Sequence, residues 1–390
     1  MLMMSTGQKS YSDWASSLTR VIGKTVSKQG IFNRMTQAWT STVKTLLQEV
    51  ISQQSQQKIK HSLFKGFSNV WLQDSTTLHL PDVLRKRFKG NMSRGKQKSV
   101  AKLNVVINVL SGICPVLEWM SFTVNEQRLS STISSIAKKG DLVIRDLGYF
   151  VLESFKQLQT DGIYFLSRLR FGVSLHDPET GKEIHLDKLL KGKTFIDQKF
   201  LIGADKDLEV RLVAIKLSRA QTNQRILKAR KDRDRRKNHS KKYYQLLGYV
   251  IFITTVENQT WDYKQVAEAY RVRWNIEILF KSWKSGFHIQ DIIPEARTHT
   301  ERVESILYLI LIFITWFQML IYIPLRWAKE LRGQTLSIIK TVKYVANHLY
   351  DLINLKLTLK LKKQIIYHCC YDKRHDRLNA NERLEKFILP

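Results

Sequence analysis

Residues Tyr270 to Lys284 read YRVRWNIEILFKSWK, a stretch without proline or glycine whose apolar residues recur at helical spacing. At about 100° per residue, Tyr270, Arg273, Glu277, Lys281 and Lys284 share one face. Val272, Ile276, Leu279, Phe280 and Trp283 share the other. The spacing predicts one continuous helix with an apolar wall and a strip of Tyr, Arg, Glu and Lys opposite it. Alone, such a strip is either a solvated row of i,i+4 ion pairs or a carboxylate offered to a cation beside a phosphate-binding surface. What the rest of the chain sets beside it decides between them.

The chain has 390 residues, 43% hydrophobic and 25% charged, enough for one large core or two to three domains. Lys and Arg number 64 against 34 Asp and Glu, a net charge of +30 spread along the chain. The simplest partner for that charge is a polyanion, nucleic acid before an anionic membrane surface. Cys114, Cys369 and Cys370 give neither a disulfide framework nor zinc spacing and fit a reducing cytoplasm. The N-terminus lacks the apolar core of a signal peptide. Ile306 to Ile323 carries no charge and is close to the minimum bilayer-spanning length. It is one run in a basic, otherwise soluble chain, so it reads as a buried core helix, with no membrane partner.

Five segments follow in order. Residues 1–62 are polar and helical, with apolar positions three and four apart, and read as a helical DNA-binding region, with a merely solvated basic face an equal alternative. Residues 63–170 open a catalytic core. Strands are expected over FSNVWLQD up to Asp74, over Val100 to Leu110 and over Pro115 to Val124. A basic loop lies between the first two, from Arg85 through Arg94 to Lys98. Then come a helix near Gln127 to Ala137, a strand ending at Asp146, a helix over Phe150 to Leu158 and a strand over Ile163 to Arg170. Residues 171–243 break this rhythm with short alternating strands and end in KARKDRDRRKNHSKKYY, a phosphate patch or a solvated basic helix. They read as a β-rich insertion. Residues 244–300 return to the core with a strand over Tyr244 to Val256 and the opening stretch, and 301–390 form a helical C-terminal region. The expected class is α/β, a mixed sheet with helices on its faces.

Three carboxylates stand at positions where sites form. Asp74 ends the first strand, Asp146 ends the fourth just before Gly148, and Glu277 lies on the helix of the opening stretch. Each has a structural alternative. Asp74 before Ser75-Thr76-Thr77 can cap a turn, and Asp141 competes with Asp146 but opens its strand and caps the Gly140 turn. Three carboxylates converging in a basic protein would repel one another unless a cation neutralised them. Oxygen donors of this kind suit Mg²⁺, with Mn²⁺ as a substitute. Two such ions about 4 Å apart activate an attacking oxygen and stabilise a leaving one in phosphodiester chemistry.

With these residues in place, the chain resembles the DDE transposases of the insertion sequence 4 family. Tyr270, Arg273, Glu277 and Lys284 match that family's Tyr-Arg-Glu-Lys spacing without a gap. Asp74-Ser75-Thr76 resembles its first motif and Asp146-Leu147-Gly148-Tyr149 its second. The resemblance covers about residues 65 to 300. It implies a ribonuclease-H-like core in which Asp74, Asp146 and Glu277 are catalytic and hold two metal ions. Tyr270, Arg273 and Lys284 would hold DNA phosphates, with Arg gripping through two donors and Lys as a point charge. Tyr249 falls where relatives stack a flipped base on Trp, although a core-strand tyrosine is an equal alternative. The implied function is cut-and-paste transposition by a homodimer on DNA, engaging element ends and target, in a bacterial cytoplasm at the nucleoid. A nuclease or resolvase without strand transfer, and a non-catalytic DNA-binding descendant, are the alternatives.

Overall fold

The computed structural model describes residues 7, 10–54, 57–59, 61–93, 95–231, 240–294, 300–331, 334–354 and 359–370. Arg94 and the middle of the basic run, 232–239, lie outside the described residues. The strands are β1 Val70–Leu80, β2 Lys89–Ser93, β3 Lys96–Asn108, β4 Val116–Ser121, β5 Leu142–Arg145, β6 Tyr164–Arg168, β7 Leu175–His176, β8 Glu183–Ile184, β9 Phe195–Ile202, β10 Leu208–Lys216 and β11 Tyr249–Thr254. Along the chain four strands, β1 to β4, come first, and β5 and β6 follow with a helix between them. A β-rich insertion follows, and helices occupy both ends of the sequence.

Two compact units divide the chain. The first draws on Met1–Lys60, Gln73–Asn125 and Trp274–Asp372, the second on His61–Leu72 and Glu126–Arg273, so β1 changes unit after Leu72. In the first unit, β3 lies between β1 and β2, and β4 pairs antiparallel with β3, setting Leu103 against Trp119 and Val105 against Leu117. The helix Gln37–Ser52 packs on the helix Thr300–Phe317. Thr40 and Ser305 share a hydroxyl hydrogen bond of 2.7 Å there, and Arg302 stacks 3.0 Å above the Phe32 ring. The N-terminal helices thus belong to the same unit as the apolar C-terminal run. That run is helical from Thr300 to Glu330, long and apolar enough to cross a membrane by length and composition, and 56% of its most apolar window is buried within the protein. Its turn widens to a π-helix over Gln318–Tyr322, just before Pro324. Proline has no N–H to give the Leu320 carbonyl, and the wider turn absorbs the defect.

In the second unit, β5 and β6 are parallel, and β11 is antiparallel to β6. A mixed sheet results. Strands β10 and β9 continue outward from β11, so the insertion extends the sheet. The start of β1 lies beside β5, where the Leu142 N–H donates to the Asn69 carbonyl at 3.0 Å or less (2.9 Å). All four residues of β5 are buried, as a parallel strand covered on both faces requires. The helix Leu152–Thr160 joins β5 to β6 and seals one face with Phe155 and Leu158, both fully buried. Beneath it Arg145, also fully buried, donates to the Ser154 hydroxyl (2.8 Å) and to the Ser130 carbonyl. Burial pushes this guanidinium down to about 9, with Tyr149 opposing the shift.

Three expectations need correction. The stretch Tyr270 to Lys284 is not one helix. A helix Tyr263–Arg271 ends there and a second, Trp274–Gly286, begins. Between them the N–H groups of Val272 and Arg273 reach back to Ala269 and Tyr270, a tighter turn than the α-helix allows. Asp74 does not end β1 but lies in its middle, because Ser75-Thr76-Thr77 continues the strand and alternates Thr76, Leu78 and Leu80 into the core. Residues Tyr244 to Leu246 are helical, since Ser240 caps a short helix Lys241–Leu246 by accepting from the Tyr243 N–H, and β11 starts after Gly248.

Candidate active site

The parallel register of β5 and β6 sets Arg145 opposite Ser167. The next residue on each strand, Asp146 and Arg168, therefore emerges from neighbouring strand ends. Arg168 Nη2 donates to Asp146 Oδ1 at 3.0 Å. The Tyr270 hydroxyl donates to the same oxygen at 3.2 Å, and Arg273 Nε stands 4.0 Å from it. One carboxylate oxygen thus faces a phenol and two guanidinium groups. Burial acts to raise the Asp146 carboxyl, but Arg273 and Arg168, with the Leu147 N–H, hold it below the usual carboxylate range. It is ionised at neutral pH. The Tyr270 hydroxyl is pushed up to about 12, by burial first and by Asp146 next, against the opposing pull of both arginines. It stays protonated and donates.

The broken helix explains how Tyr270 and Arg273 come to serve Asp146. Both are nearly buried, at 8% and 7% exposure, and neither lies on a solvated strip. The Tyr270 ring packs 5.1 Å from Phe252 on β11, with the Arg168 and Arg273 guanidinium carbons each 5.9 Å from its centre. Gly148 has its own reason: a side chain there would run into the Glu126 carboxylate. Asp141 is structural as expected. It is almost fully buried and accepts from Asn69, Trp71 and the Lys138 N–H.

Asp74, Glu277 and Lys284 belong to the first unit, and Asp146, Tyr270, Arg273, Arg168 and Tyr249 to the second. Asp74 Oδ1 accepts from the Ser75 N–H at 2.8 Å on a half-buried part of β1. Glu277 lies in the first turn of the helix Trp274–Gly286 and Lys284 in its last turn, where burial lowers the Lys284 ammonium. Tyr249 begins β11. Its hydroxyl donates to the Leu190 carbonyl at 2.7 Å, with the Lys193 carbonyl at 3.0 Å, so its ring is tied to the insertion. It lines a cavity of about 610 Å³ within the second unit, together with Leu147, Arg168, Arg225, Lys228 and Tyr243. Arg225 donates to the Tyr249 carbonyl (2.8 Å), and burial, then repulsion from Arg168, pushes its guanidinium down.

Within either unit, among the described residues, no three His, Cys, Asp or Glu side chains lie close enough to hold a metal ion. The donor chemistry nonetheless fits a hard divalent cation. The candidate ligands are carboxylate oxygens alone, and Asp146 is held ionised. Arg168 is the residue that sequence patterning missed. Its signal was available: two consecutive strands joined by a helix, each ending in a charged residue.

An ionised carboxylate at a strand end, set among arginines in a basic α/β protein, is chemistry suited to work on phosphodiesters. The comparisons make the class specific. The family described as "Transposase DDE domain" matches residues 65–313, and the chain belongs to it. It is 30% identical over 373 residues to the transposase for insertion sequence element IS231F of Bacillus thuringiensis subsp. israelensis, covering 86% of this chain and 74% of that one. It is 25% identical over 319 residues to the transposase for IS1151 of Clostridium perfringens, covering 76% and 67%. A solved piggyBac transposase synaptic complex with hairpin DNA is similar at a TM-score of 0.38 and 9% identity over 81% of this chain and 60% of that one, a likeness too slight to carry an argument. The protein is an insertion-sequence transposase, an enzyme that cleaves DNA and transfers strands. Enzymes of this class use divalent metal ions.

Proposed function

We propose that Asp74, Asp146 and Glu277 are the catalytic carboxylates of a cut-and-paste transposase of the insertion sequence 4 type. The observation that carries this reading is Asp146, kept ionised where β5 ends and faced by Tyr270 and Arg273 at the family spacing. The three carboxylates would hold two Mg²⁺ or Mn²⁺ ions, which supply neutralisation of charge on the attacked phosphodiester when bound. Arg273 and Tyr270 orient Asp146 and reach toward a scissile phosphate, and Lys284 adds a point charge to a neighbouring phosphate. Tyr249 offers a ring to an unstacked base at the edge of the cavity. Residues 1–62 contact the element's ends, and two copies act as a homodimer on DNA in the bacterial cytoplasm.

The test is cleavage and joining by the purified protein, with Mg²⁺, a duplex carrying the DNA that flanks its coding region, and a target plasmid. Nicked ends and joined products are expected. Asp74→Asn, Asp146→Asn and Glu277→Gln should bind DNA and yield neither product. Cleavage with no joined product would instead identify a nuclease, and a fully active Glu277→Gln protein would remove the carboxylate assignment.

A further inference from the structure

We propose that the hairpin of β2 and β3 is an arm that grips target duplex of arbitrary sequence, with its lysines on phosphates and Met92 wedged into a base step. The proposal rests on the reading that this transposase engages a target as well as its element's ends.

The hairpin lies within the first unit. From Arg85 to Lys98 the chain reads RKRFKGNMSRGKQK, with seven cations and no carboxylate. Arg87 is bound to Glu304 at 2.6 Å, and Lys98 lies 3.6 Å from Asp82. Arg85, Lys86, Lys89 and Lys96 are exposed and have no ion pair among the described residues. The base of the hairpin is fixed. Leu84 and Phe88 are buried there, the Val100 N–H donates to the Phe88 carbonyl (3.0 Å), and the Lys89 N–H donates to the Ser121 hydroxyl (3.2 Å). Between Lys89 and Met92 the pairing shifts register. The Gln97 side-chain amide donates to the Gly90 carbonyl inside that shift, and a side chain at Gly90 would overlap Val100. A bulge pinned in this way re-aims the residues after it. The residue it aims is Met92, paired with Gln97 and 64% exposed.

Lysines and a bulge also blunt a sheet edge against pairing with another strand. An exposed methionine among them works against that purpose. It has a use in a minor groove, where an apolar wedge enters a base step and cations hold the phosphates beside it. Neither contact reads sequence, since lysine–phosphate contacts only position the protein and a thioether has no donor for a base edge. An element's end is one fixed sequence and a target can be any, so the arm suits the target. Strand β3 also lies beside β1, which carries Asp74, so a duplex on the arm is held by the sheet that bears a candidate catalytic carboxylate.

The experiment titrates the full chain onto a random-sequence duplex carrying 2-aminopurine beside a TA step, at several salt concentrations. Wild type should raise the 2-aminopurine fluorescence, because a wedged step is unstacked. The double variant Lys89→Gln, Lys96→Gln should lower the log–log salt slope by about two. Met92→Ser should keep the slope and lose the fluorescence rise. With a target plasmid present, both variants should lower the ratio of joined to cleaved product about tenfold. An unchanged slope overturns the lysine contacts, and a full fluorescence rise with Met92→Ser overturns the wedge. Equal losses of cleavage and joining place the arm on the element's end and overturn the target assignment. Binding to phosphatidylserine vesicles that the double variant abolishes, with duplex binding unchanged, overturns the arm in favour of a membrane surface. A wild type that cleaves without joining overturns the target assignment through the reading it rests on, and the duplex titration still decides whether the hairpin holds DNA.

Discussion

Asp146 was legible in the sequence, because a buried strand running into Asp-x-Gly marks a strand end with a tight turn after it. Its neighbours were less so. Periodicity puts Tyr270 and Arg273 on a polar helical strip, yet they lie buried at a turn, and Arg168 reads as the tail of a strand. Charge pairing across parallel strands depends on register, and one-residue slips in register are invisible to periodicity. Asp146 carries two predictions. Asp146→Asn should lower cleavage on the order of a thousandfold or more while leaving duplex affinity within a few-fold, measured by end-nicking and by filter binding. The second concerns acid. Arg273 and Arg168 depress the Asp146 carboxyl in the folded protein, so it contributes stability that is fully present above the unfolded value of about 3.9 and is lost as pH falls through the folded value. The melting difference between wild type and Asp146→Asn should therefore be flat through neutral pH and change only below about pH 4. A difference that grew between pH 6 and 8 would show that Asp146 is not held ionised as described.

At the scale of elements, strands β9 and β10, the crossover helix and the apolar helix were readable because their periodicity extends over many residues. The break at Val272-Arg273 was not, since no glycine or proline marks it. Only the shift of two N–H groups to carbonyls three residues back ends the first helix. Asp74 lies mid-strand for the opposite reason: Ser-Thr-Thr has turn chemistry, but β-branched threonines pack well in a strand with one buried face. Helix packing offers a direct test in the first unit. Gly286 closes the helix Trp274–Gly286 where it meets Val342 on the helix Ile338–Asn347, and a Cβ at Gly286 would overlap the Val342 side chain. Gly286→Ala should cost about 1–3 kcal/mol, read as a lower urea midpoint with unchanged slope. Adding Val342→Ala should make the double variant less destabilised than the sum of the two single changes. Strict additivity would mean that the helices separate freely and that Gly286 does not set their approach.

For the whole molecule, the charge of +30 is the property most directly tied to function. It predicts DNA binding dominated by release of counterions from phosphates, so affinity should fall linearly on a log–log plot against salt. A transposase holding an element end through six to ten phosphates should lose on the order of 10³- to 10⁵-fold in affinity between 50 and 200 mM salt. The charge is not used evenly. Arg145 is buried beneath β5 and bonded to Ser154 and Ser130, and Arg211 is paired with Asp197 at 2.6 Å, so neither is available to a phosphate. Arg225 and Lys228 line the cavity beside Arg168. Lys228→Gln should therefore reduce the salt slope by about one without changing the melting midpoint. Arg211→Gln should leave the slope unchanged and lower the midpoint, because it strands the partly buried Asp197 carboxylate. Equal slopes for wild type and Lys228→Gln, measured by titrating labelled duplex at several salt concentrations, would exclude the cavity wall from the DNA-binding surface.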